Sequence, residues 1–489
     1  MTNGIELFAF HHVSGSGNSV AGRADHATDR LDNGQHDPYA DADLLDDVAK
    51  NLRVSRNLRP SSRTGRWPFF VGREAIRAEG KSMKVMRVAI LGFGTVGQSV
   101  AKILVSGRSG LQLTRVFNRN VERKQVEWIP DAVDWTEKID EVFTSDVDVV
   151  VELIGGLDPA GPWIQRALME GKSVVTANKQ VIANDGARLS ELAVAKGVCL
   201  NFEAAVAGVV PIISSIRNGL IADNLYRIRG VLNGTCNFLL TTMGASEASF
   251  DEVLADAQER GYAEADPSAD LDGVDAQAKL SILSAIGLKR LIDPNEIACR
   301  SIRGVGRLDF EVAGLLGCGI RQVSTVELTE GVDGVRAEVG PAMVELGSRV
   351  AQVSGNENVV VVDGISCGEV TLIGQGAGGD PTAVAIVSDL LAIASGTGAP
   401  NLFPSSGPSH QVGTMGKRLH YVRVTGAQSA ARILSGLGME ATRTLKDAGD
   451  QVRFVTGRCT TEAVESALKS SASTSGDRAE NDVVLPIID

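Results

Sequence analysis

The chain contains no uninterrupted run of about 18 apolar residues, the length that a membrane-spanning helix requires. Nor does it carry an excess of positive charge, since 48 Lys and Arg stand against 60 Asp and Glu and the net charge at pH 7 is −12. Nucleic acids and anionic membranes are bound through clustered positive charge, so neither is an expected partner. With 489 residues, 43% of them hydrophobic, the chain is predicted to form a soluble protein of about three domains.

Cysteine pairs and centrally placed histidines are both missing. The six cysteines form no C-x-x-C pair and are scattered at Cys199, Cys236, Cys299, Cys318, Cys367 and Cys459. This spacing fits reduced thiols in a cytoplasmic enzyme better than disulfides or a zinc site. No histidine occurs from Met83 to Ser409. If the catalytic core lies in that interval, its acid or base is not an imidazole, which leaves lysine and carboxylates and disfavours a His-ligated metal site.

Residues 1–82 lack a persistent apolar period and are predicted to be a disordered extension. Eight aspartates between Asp25 and Asp47 precede a basic run, which is typical of a solvated segment. The aspartates argue against a mitochondrial presequence, and no apolar region marks a secretory signal. We expect translation to start at Met83 or Met86, where ordered sequence begins.

A glycine-rich turn follows the first predicted strand. The apolar run VMRVAIL leads directly into GFGTVG and then a helix, so that Gly92, Gly94 and Gly97 form G-x-G-x-x-G. In dinucleotide-binding folds the first glycine permits the turn, the second lets the backbone approach a pyrophosphate and the third allows close helix packing. A plain glycine-rich turn is the alternative. The predicted cofactor-binding residues of this turn are Gly92, Phe93, Gly94, Thr95, Val96 and Gly97.

The end of the second predicted strand indicates which nucleotide is bound. NAD-specific proteins usually place an acid there, but this sequence has Asn118 and Arg119. An arginine can pair with a 2′-phosphate, so NADP is favoured over NAD. The alternative is that Arg119 points into solvent.

Strands and helices alternate throughout the segment that follows. DVDVVVELIGG ends in Gly155 and Gly156, which suggests a backbone that passes close to the cofactor, so Gly155 is a predicted cofactor-binding residue. KSVVTANK ends in Lys179, and a helix is predicted from Ala187 to Lys196. This pattern predicts an α/β, doubly wound parallel sheet with its functional groups at the carboxyl ends of the strands. Lys179 is therefore a site candidate, and a solvated loop lysine is the alternative.

A second lysine lies on a predicted helix after Gly273. On a helical period Lys279 is in line with Ile282, Leu283 and Ile286, so it should be partly buried. Asp275 lies one turn earlier, within reach of the ammonium group. Either the two form an exposed ion pair, or a carboxylate holds a desolvated lysine for proton transfer.

Three segments together resemble homoserine dehydrogenases: FEAAVAGVVPIISSIRNGL, RIRGVLNGTCNFLLTTM and GYAEADPSADLDGVDAQAKL. The resemblance extends from Met83 to Gly396, and the later IGQGAGGDPTAVAIVSDL also matches. It implies NADPH-dependent, reversible reduction of L-aspartate 4-semialdehyde to L-homoserine in threonine, methionine and isoleucine biosynthesis. It also implies a homodimer or higher homo-oligomer.

The resemblance also assigns roles. Lys279 is the proton donor and acceptor, Asp275 lies beside it and contacts substrate, and Glu264 binds the amino-acid end of the substrate. Asp270 adds an acidic wall, and Lys179 lies near both nicotinamide and substrate. Further implied substrate and cofactor residues are Gly234, Thr235, Gly376 and Gly378, and implied sodium ligands are Glu203, Val206, Gly208 and Val210.

The predicted domain organisation combines these observations. A Rossmann-type domain spans 83–211 and is completed by 374–398. An α+β substrate-binding and dimerisation domain with a mostly antiparallel sheet spans 212–373. The βαββα order of 414–469 resembles an ACT regulatory module, but Gly426, Ala427 and Gln428 replace its usual Asp-x-Pro-Gly, so inhibition by threonine is a hypothesis. Residues 470–489 are predicted to be a disordered tail.

Two other functions remain open from the sequence. One is an NADP-dependent enzyme of the same fold that acts on a different amino-acid semialdehyde or small amino acid; Glu264 and the LNGT segment argue against it. The other is a non-catalytic NADP-binding regulator, against which the presence of Lys279 and Asp275 argues.

Overall fold

The computed structural model describes residues 85–107, 110–331, 333–398, 403–446, 450–473 and 482–488. The chain divides into two units, Met1–Gly80 and Lys81–Asp489, and all described residues belong to the second. The predicted extension of residues 1–82 therefore lies outside the described residues. Within the described ranges, no helix combines the length and apolar character needed to cross a membrane.

The first layer is a parallel sheet. Its strands are β1 (Met86–Leu91), β2 (Leu111–Phe117), β3 (Asp134–Thr136), β4 (Val149–Glu152), β5 (Ser173–Thr176) and β6 (Leu200–Asn201). They are ordered β3-β2-β1-β4-β5-β6, and every pair is parallel. The central strands are apolar on both faces because helices cover both. The predicted doubly wound sheet is confirmed, and its order reverses between β1 and β4.

Helices surround this sheet and continue through the rest of the chain. They are α1 (Thr95–Val105), α2 (Val121–Lys124), α3 (Ile139–Phe143), α4 (Ala160–Met169), α5 (Lys179–Lys196), α6 (Ile212–Ser214), α7 (Gly234–Ala245), α8 (Phe250–Glu259), α9 (Ser268–Leu271), α10 (Val274–Leu283), α11 (Arg307–Leu315), α12 (Gly379–Ala394), α13 (Ala427–Leu437) and α14 (Thr461–Ser473). Helices α1 and α12 pack on one face of the parallel sheet, with Val100 and Ile386 in one apolar cluster.

Helix α5 begins eight residues earlier than the sequence predicted. It starts at Lys179, and Asn178 caps it by accepting the backbone N–H of Val181. Asparagine is a favoured cap because its side-chain oxygen satisfies an otherwise unpaired helical N–H group. The prediction that the helix starts at Ala187 was wrong, because it treated this capping residue as part of a polar loop.

The second layer is mostly antiparallel. Its strands are β7 (Leu225–Val231), β8 (Ala298–Cys299), β9 (Cys318–Leu328), β10 (Gly334–Glu345), β11 (Glu357–Gly364), β12 (Gly368–Gln375) and β13 (Gln411–Gly413). The main path runs β12-β11-β7-β9-β10 with antiparallel neighbours, as predicted. Helix α10 lies between this sheet and α5, because Leu280 and Ile282 share one apolar cluster with Val181 and Val326. Both layers therefore fix the helix that carries Lys279.

The C-terminal segment forms strands β14 (His420–Thr425), β15 (Arg443–Lys446), β16 (Gln451–Val455) and β17 (Val483–Ile488) with helices α13 and α14. Its element order is β-α-β-β-α-β. The prediction of a disordered tail from residue 470 was wrong for α14, which extends to Ser473, and for β17. Strand β17 pairs with both β10 and β14, and Val483 and Leu485 are buried against Tyr421. A sequence pattern does not show that two distant strands leave an edge for this short apolar run.

Candidate functional site

The glycine-rich turn between β1 and α1 has the geometry of a nucleotide-binding turn. Gly92 has φ of +99°, a conformation that side chains disfavour. A Cβ atom on Gly97 would lie 2.2 Å from the carbonyl oxygen of Gly92, so no other residue fits there. A Cβ on Gly94 would meet nothing within 4 Å. The first and third glycines are thus required by packing, while the second faces open space that a pyrophosphate can occupy.

The other predicted residues of this turn contribute unequally. The Phe93 side chain is fully buried and packs edge-on against Trp135, with 4.8 Å between ring centroids. Phe93 can therefore reach a ligand only through its backbone. Val96 packs on the same apolar cluster, whereas Thr95 is exposed at the first turn of α1. Amide groups at this helix N-terminus suit a phosphate.

A cavity of about 270 Å³ opens beside the turn and is lined by Gly92, Gly94, Asn118, Arg119, Lys124 and Ile154, among others. It lies at the carboxyl ends of β1, β2 and β4, the place expected for a nucleotide in this fold. Arg119 is exposed and Lys124 is half-buried. The sequence predicted Arg119 but missed Lys124, which the short helix α2 brings back to the cavity.

Glu152 is a further residue that sequence reasoning missed. It is fully buried at the end of β4, and one oxygen accepts the N–H groups of Ile154 (2.7 Å) and Gly155 (3.2 Å). Its other oxygen accepts the hydroxyl of Thr176 at 2.6 Å. Glu152 thereby fixes the loop in which Gly155 has φ of +78°. A buried acid at the end of an apolar strand was the signal that could have indicated it.

The loop before α12 connects the nucleotide turn to a second cavity. A Cβ on Gly379 would lie 2.9 Å from side-chain atoms of both Thr95 and Ser99, and Ser99 donates a hydrogen bond of 2.7 Å to Asp380. Gly376 and Gly378, two residues predicted to contact cofactor, line the second cavity. One loop therefore borders both the start of α1 and the second cavity.

This second cavity, of about 610 Å³, is the candidate substrate cleft. Predicted residues that line it are Lys179, Gly234, Thr235, Glu264, Asp270, Asp275, Lys279, Gly376 and Gly378. They come from α5, the start of α7, the loop before α9, α9 itself, α10 and the loop before α12. The structure thus brings together every residue that was predicted to bind substrate.

Asp275 is the centre of the charge arrangement in the cleft. It is buried, and it accepts the ammonium groups of Lys179 on Oδ1 and Lys279 on Oδ2, each at 2.7 Å. Burial opposes its ionisation, but the two ammonium groups hold the pKa of Asp275 well below its usual range. The charge of Asp275 in turn raises the pKa of Lys179, against the effect of burial. The Lys279 side chain is only 12% exposed, which rejects the exposed ion pair.

The remaining cleft residues differ in burial and in the contacts that they make. Burial, followed by the charge of Asp275, raises the pKa of Asp270. The Thr235 hydroxyl donates to the carbonyl of Tyr262 at 2.7 Å. Gly234 lies against Asn356, where a Cβ would be 2.8 Å from its carbonyl oxygen. Glu264 is exposed on the loop before α9, so its carboxylate can meet a ligand entering from solvent.

The predicted sodium ligands lie on a tight turn. Ala207 and Gly208 both have positive φ, +57° and +63°. Glu203 is buried, and its two carboxylate oxygens accept the N–H groups of Ile213 and Ser214, each at 2.8 Å. Burial raises the pKa of this carboxyl. One carboxylate with the carbonyls of Val206, Gly208 and Val210 gives hard oxygen donors, which fit such a cation in type. Sodium binding stays a prediction.

Among the described residues, no cluster of three or more His, Cys, Asp or Glu side chains is placed to hold a metal ion. The ionisable side chains that line the cleft include Lys179, Lys279 and the carboxylates of Glu264, Asp270 and Asp275. A doubly wound sheet with a glycine-rich turn, joined by a loop to this cleft, defines a nicotinamide-nucleotide-dependent oxidoreductase.

Comparison with known proteins gives the particular family. The family model described as homoserine dehydrogenase matches residues 211–391, and the model for the NAD binding domain of homoserine dehydrogenase matches 92–203. The chain is 38% identical over 352 residues to the homoserine dehydrogenase of Synechocystis sp., covering 70% of this chain and 79% of that protein. It is 40% identical over 319 residues to that of Mycobacterium tuberculosis, covering 63% and 72%. The chain belongs to the homoserine dehydrogenase family.

Solved structures agree. The crystal structure of a homoserine dehydrogenase from Thiobacillus denitrificans superposes with a TM-score of 0.73 at 31% identity, covering 83% of this chain and 98% of that one. A hyperthermophilic archaeal homoserine dehydrogenase in complex with NADPH gives a TM-score of 0.56 at 29% identity, covering 65% and 100%.

Proposed function

We propose that this chain catalyses the reversible, NADPH-dependent reduction of L-aspartate 4-semialdehyde to L-homoserine, a step towards threonine, methionine and isoleucine. The observation that carries the proposal is the Lys179–Asp275–Lys279 arrangement in a cleft that the Gly376–Gly378 loop joins to the nucleotide turn. The cleft presents acids for a substrate ammonium and ammonium groups for a reacting oxygen. The six cysteines of the chain are free and scattered, which supports a cytoplasmic location.

The nucleotide site fits NADP better than NAD. A bound nicotinamide nucleotide supplies the hydride for the aldehyde carbon. The open space at Gly94 and the first amides of α1 would hold its pyrophosphate. Arg119 and Lys124 offer two cations for a 2′-phosphate, where an NAD-specific site has an acid. The archaeal relative in complex with NADPH supports the same choice.

Lys279 is the proposed proton donor. Among the described residues, two acceptors engage its ammonium: Asp275 Oδ2 at 2.7 Å and the carbonyl of Leu232 at 2.8 Å. An ammonium has three N–H bonds, so one remains for the substrate oxygen. As the aldehyde carbon receives hydride, that oxygen takes a proton from Lys279; in the reverse reaction the amine takes it back. Lys179 adds a second cation that stabilises the developing alkoxide.

The acids of the cleft select the substrate. Aspartate semialdehyde carries an ammonium group, which the exposed carboxylate of Glu264 can pair with at the cleft rim. Asp270 provides a second acid deeper in the cleft, beside Asp275. Gly234 and Thr235 also line this cavity. This arrangement places recognition of the amino-acid end and proton transfer in one cavity.

The test is oxidation of NADPH by the purified chain with aspartate semialdehyde, repeated with NADH. We expect turnover with NADPH at a higher kcat/KM than with NADH, and oxidation of homoserine in the reverse direction. A different amino-acid or semialdehyde dehydrogenase would instead prefer another amino alcohol. A non-catalytic regulator would bind NADPH without oxidising it. No oxidation with either cofactor would overturn the proposal.

We also propose a regulatory module, a homodimer and a sodium site. The β-α-β-β-α-β order after residue 414 supports an ACT-like module that takes threonine as an inhibitor, although Gly426, Ala427 and Gln428 depart from the usual motif. An inhibition curve that stays flat into high millimolar threonine would reject this. A homodimer is tested by light scattering, and the sodium site by comparing activity in sodium and in tetramethylammonium chloride.

A further inference from the structure

Asn233 lies where strand β7 passes into helix α7, and it is 3% exposed. Its Oδ1 accepts the backbone N–H of Cys236 at 2.8 Å and so caps the helix. A backbone N–H can only donate, so this contact fixes the amide oxygen towards the helix and the Nδ2 group towards the cleft. The fold, rather than a ligand, therefore sets the orientation of this side chain.

The Nδ2 group of Asn233 bridges two carboxylates. It donates to Asp270 Oδ1 at 2.7 Å and to Asp275 Oδ2 at 2.8 Å. Both amide hydrogens are thus used by acids from two different helices, α9 and α10. Two carboxylates that share one donor group lie close enough to disfavour each other's ionisation, and the donor between them reduces this effect.

We propose that Asn233 is a positioning residue for the reaction, which keeps Asp270 and Asp275 charged and oriented around the proton donor Lys279. The inference rests on the proposed function and concerns how its site is built. Asn233 lines the same cleft as Lys279, and its side-chain donors are directed to the two acids, so we infer that it acts through them.

The residue preceding Asn233 strengthens this inference. The carbonyl of Leu232 accepts Lys279 Nζ at 2.8 Å and also Asn358 Nδ2 at 3.1 Å. Asp275 Oδ2 accepts both Asn233 Nδ2 and Lys279 Nζ. Both acceptors that orient Lys279 therefore depend on the segment Leu232–Asn233: one is the carbonyl of Leu232, and the other is the Asp275 oxygen that Asn233 bonds. A shift of this segment would redirect the third N–H bond, the one available to substrate.

Asp270 gives the inference a measurable signature. Charged and titratable groups around Asp270 are Asp275 and Lys279 on α10, Lys179 on α5 and the Cys236 thiol on α7, and the cavity is further lined by Arg260, Tyr262 and Glu264. Burial and the charge of Asp275 raise the pKa of Asp270, and the bond from Asn233 lowers it. Loss of that bond should raise the pKa further, so the acid limb of kcat/KM should move to higher pH.

The experiment compares Asn233→Ser and Asn233→Asp with the wild-type chain. Both variants keep an oxygen that can cap α7, but both lose the Nδ2 group and its two N–H donors; serine keeps only one O–H donor, on a shorter side chain. Hydrogen bonds to charged groups are worth enough to predict a roughly 10- to 100-fold lower kcat/KM for aspartate semialdehyde in Asn233→Ser. We expect its acid limb to rise by on the order of one pH unit, and further in Asn233→Asp, which adds a like charge. The dissociation constant for NADPH should change little.

Asn237→Ser is the matched control. Asn237 is buried one turn further along α7 and donates to the carbonyl of Glu357, away from the acids. We expect this variant to lose stability but keep the wild-type pH profile. Should Asn233→Ser fold poorly, Asn233→Asp, which has the same shape, carries the same test. A folded Asn233 variant with the wild-type profile and KM would overturn the inference. An inactive wild-type chain would instead overturn the proposed function.

Discussion

Single side chains decide the chemistry of the cleft, and they were predictable only where the sequence places partners close together. Asp275 and Lys279 are four residues apart on one helix, so their pairing followed from helical spacing. Lys179 lies almost a hundred residues from Asp275, and nothing local predicted their contact at 2.7 Å. Asn233 shares this difficulty, because the two acids that it bridges lie 37 and 42 residues further along the chain.

Removing the ammonium group of Lys279 tests its role directly. Positioned proton transfer contributes about two to four orders of magnitude, so Lys279→Ala should lower kcat at least about 100-fold. NADPH affinity, measured by fluorescence titration, should stay within about twofold because the nucleotide turn is separate. Lys196→Ala, at the exposed end of α5, is the control and should behave as wild type. Near-normal turnover of Lys279→Ala would remove this residue from the mechanism.

At the level of strands and helices, local sequence patterns predicted which elements form, whereas tertiary and capping contacts determine the residues at which they begin and end. The alternation of strands such as β1 and β4 with helices was the basis for predicting a parallel sheet. The start of α5 was missed because the capping bond from Asn178 depends on backbone geometry that an Asn-Lys pair does not reveal. The position of the Gly92–Gly97 turn was predicted correctly, and Gly92 and Gly97 meet the steric requirements expected of the first and third glycines.

Two glycine substitutions should separate folding from nucleotide binding. Gly94→Ala adds a methyl group to open space, so the melting temperature should hold while the dissociation constant for NADPH rises at least about tenfold. Gly97→Ala forces a contact with the carbonyl of Gly92 and should cost about 1–3 kcal/mol of unfolding free energy. Thermal unfolding and fluorescence titration check both. Equal loss of stability in the two variants would contradict the assignment of the open space to ligand.

A buried histidine predicts a pH effect in the C-terminal elements. His420 on β14 is fully buried and contacts Thr461 through Nε2 at 3.0 Å, and burial lowers its pKa to about 4. The unfolded chain binds a proton near pH 6.5 and the folded one does not, so stability falls as the pH drops from about 6.5 to 4, by up to about 3 kcal/mol. Burial raises the pKa of Asp389 to about 7, which acts in the opposite direction. The readout is therefore the difference between wild type and His420→Gln.

Urea unfolding at pH 7 and at pH 4.5 measures that difference. His420→Gln should be less stable than wild type at pH 7, because it loses packing and the contact with Thr461. Between pH 7 and pH 4.5, the unfolding free energy of His420→Gln should fall by less than that of wild type. A gap between the two proteins that is the same at both pH values would show that His420 does not set this response.

For the protein as a whole, the sequence predicted the layers but not how the last one is attached. The parallel sheet and the mostly antiparallel sheet follow from their own patterns. Strand β17, by contrast, joins β10 to β14 and so extends the second sheet into the C-terminal elements. Ion pairs reinforce this junction. Buried Glu338 on β10 pairs both with Arg418, which precedes β14, and with Arg300, which follows β8. Such contacts join distant segments, so no local pattern could indicate them.

A second buried charge cluster at the junction gives a test of the attachment. Asp309 on α11 is fully buried, and it accepts Arg423 Nε at 2.8 Å, Arg423 Nη2 at 3.0 Å and the hydroxyl of Tyr421 at 2.9 Å. Removing one partner of such a pair leaves an uncompensated charge, so Arg423→Leu should cost about 3–5 kcal/mol of unfolding free energy.

The double variant identifies the source of that loss. Asp309→Asn removes the charge that Arg423→Leu leaves unpaired, so the combined variant should be more stable than the sum of the two single losses predicts, by at least about 1 kcal/mol. Urea unfolding of all four proteins gives the coupling, and limited proteolysis shows whether β14 to β17 detach first. Additive losses would mean that the two residues contribute independently, and an unpaired Asp309 would then not explain the loss in Arg423→Leu.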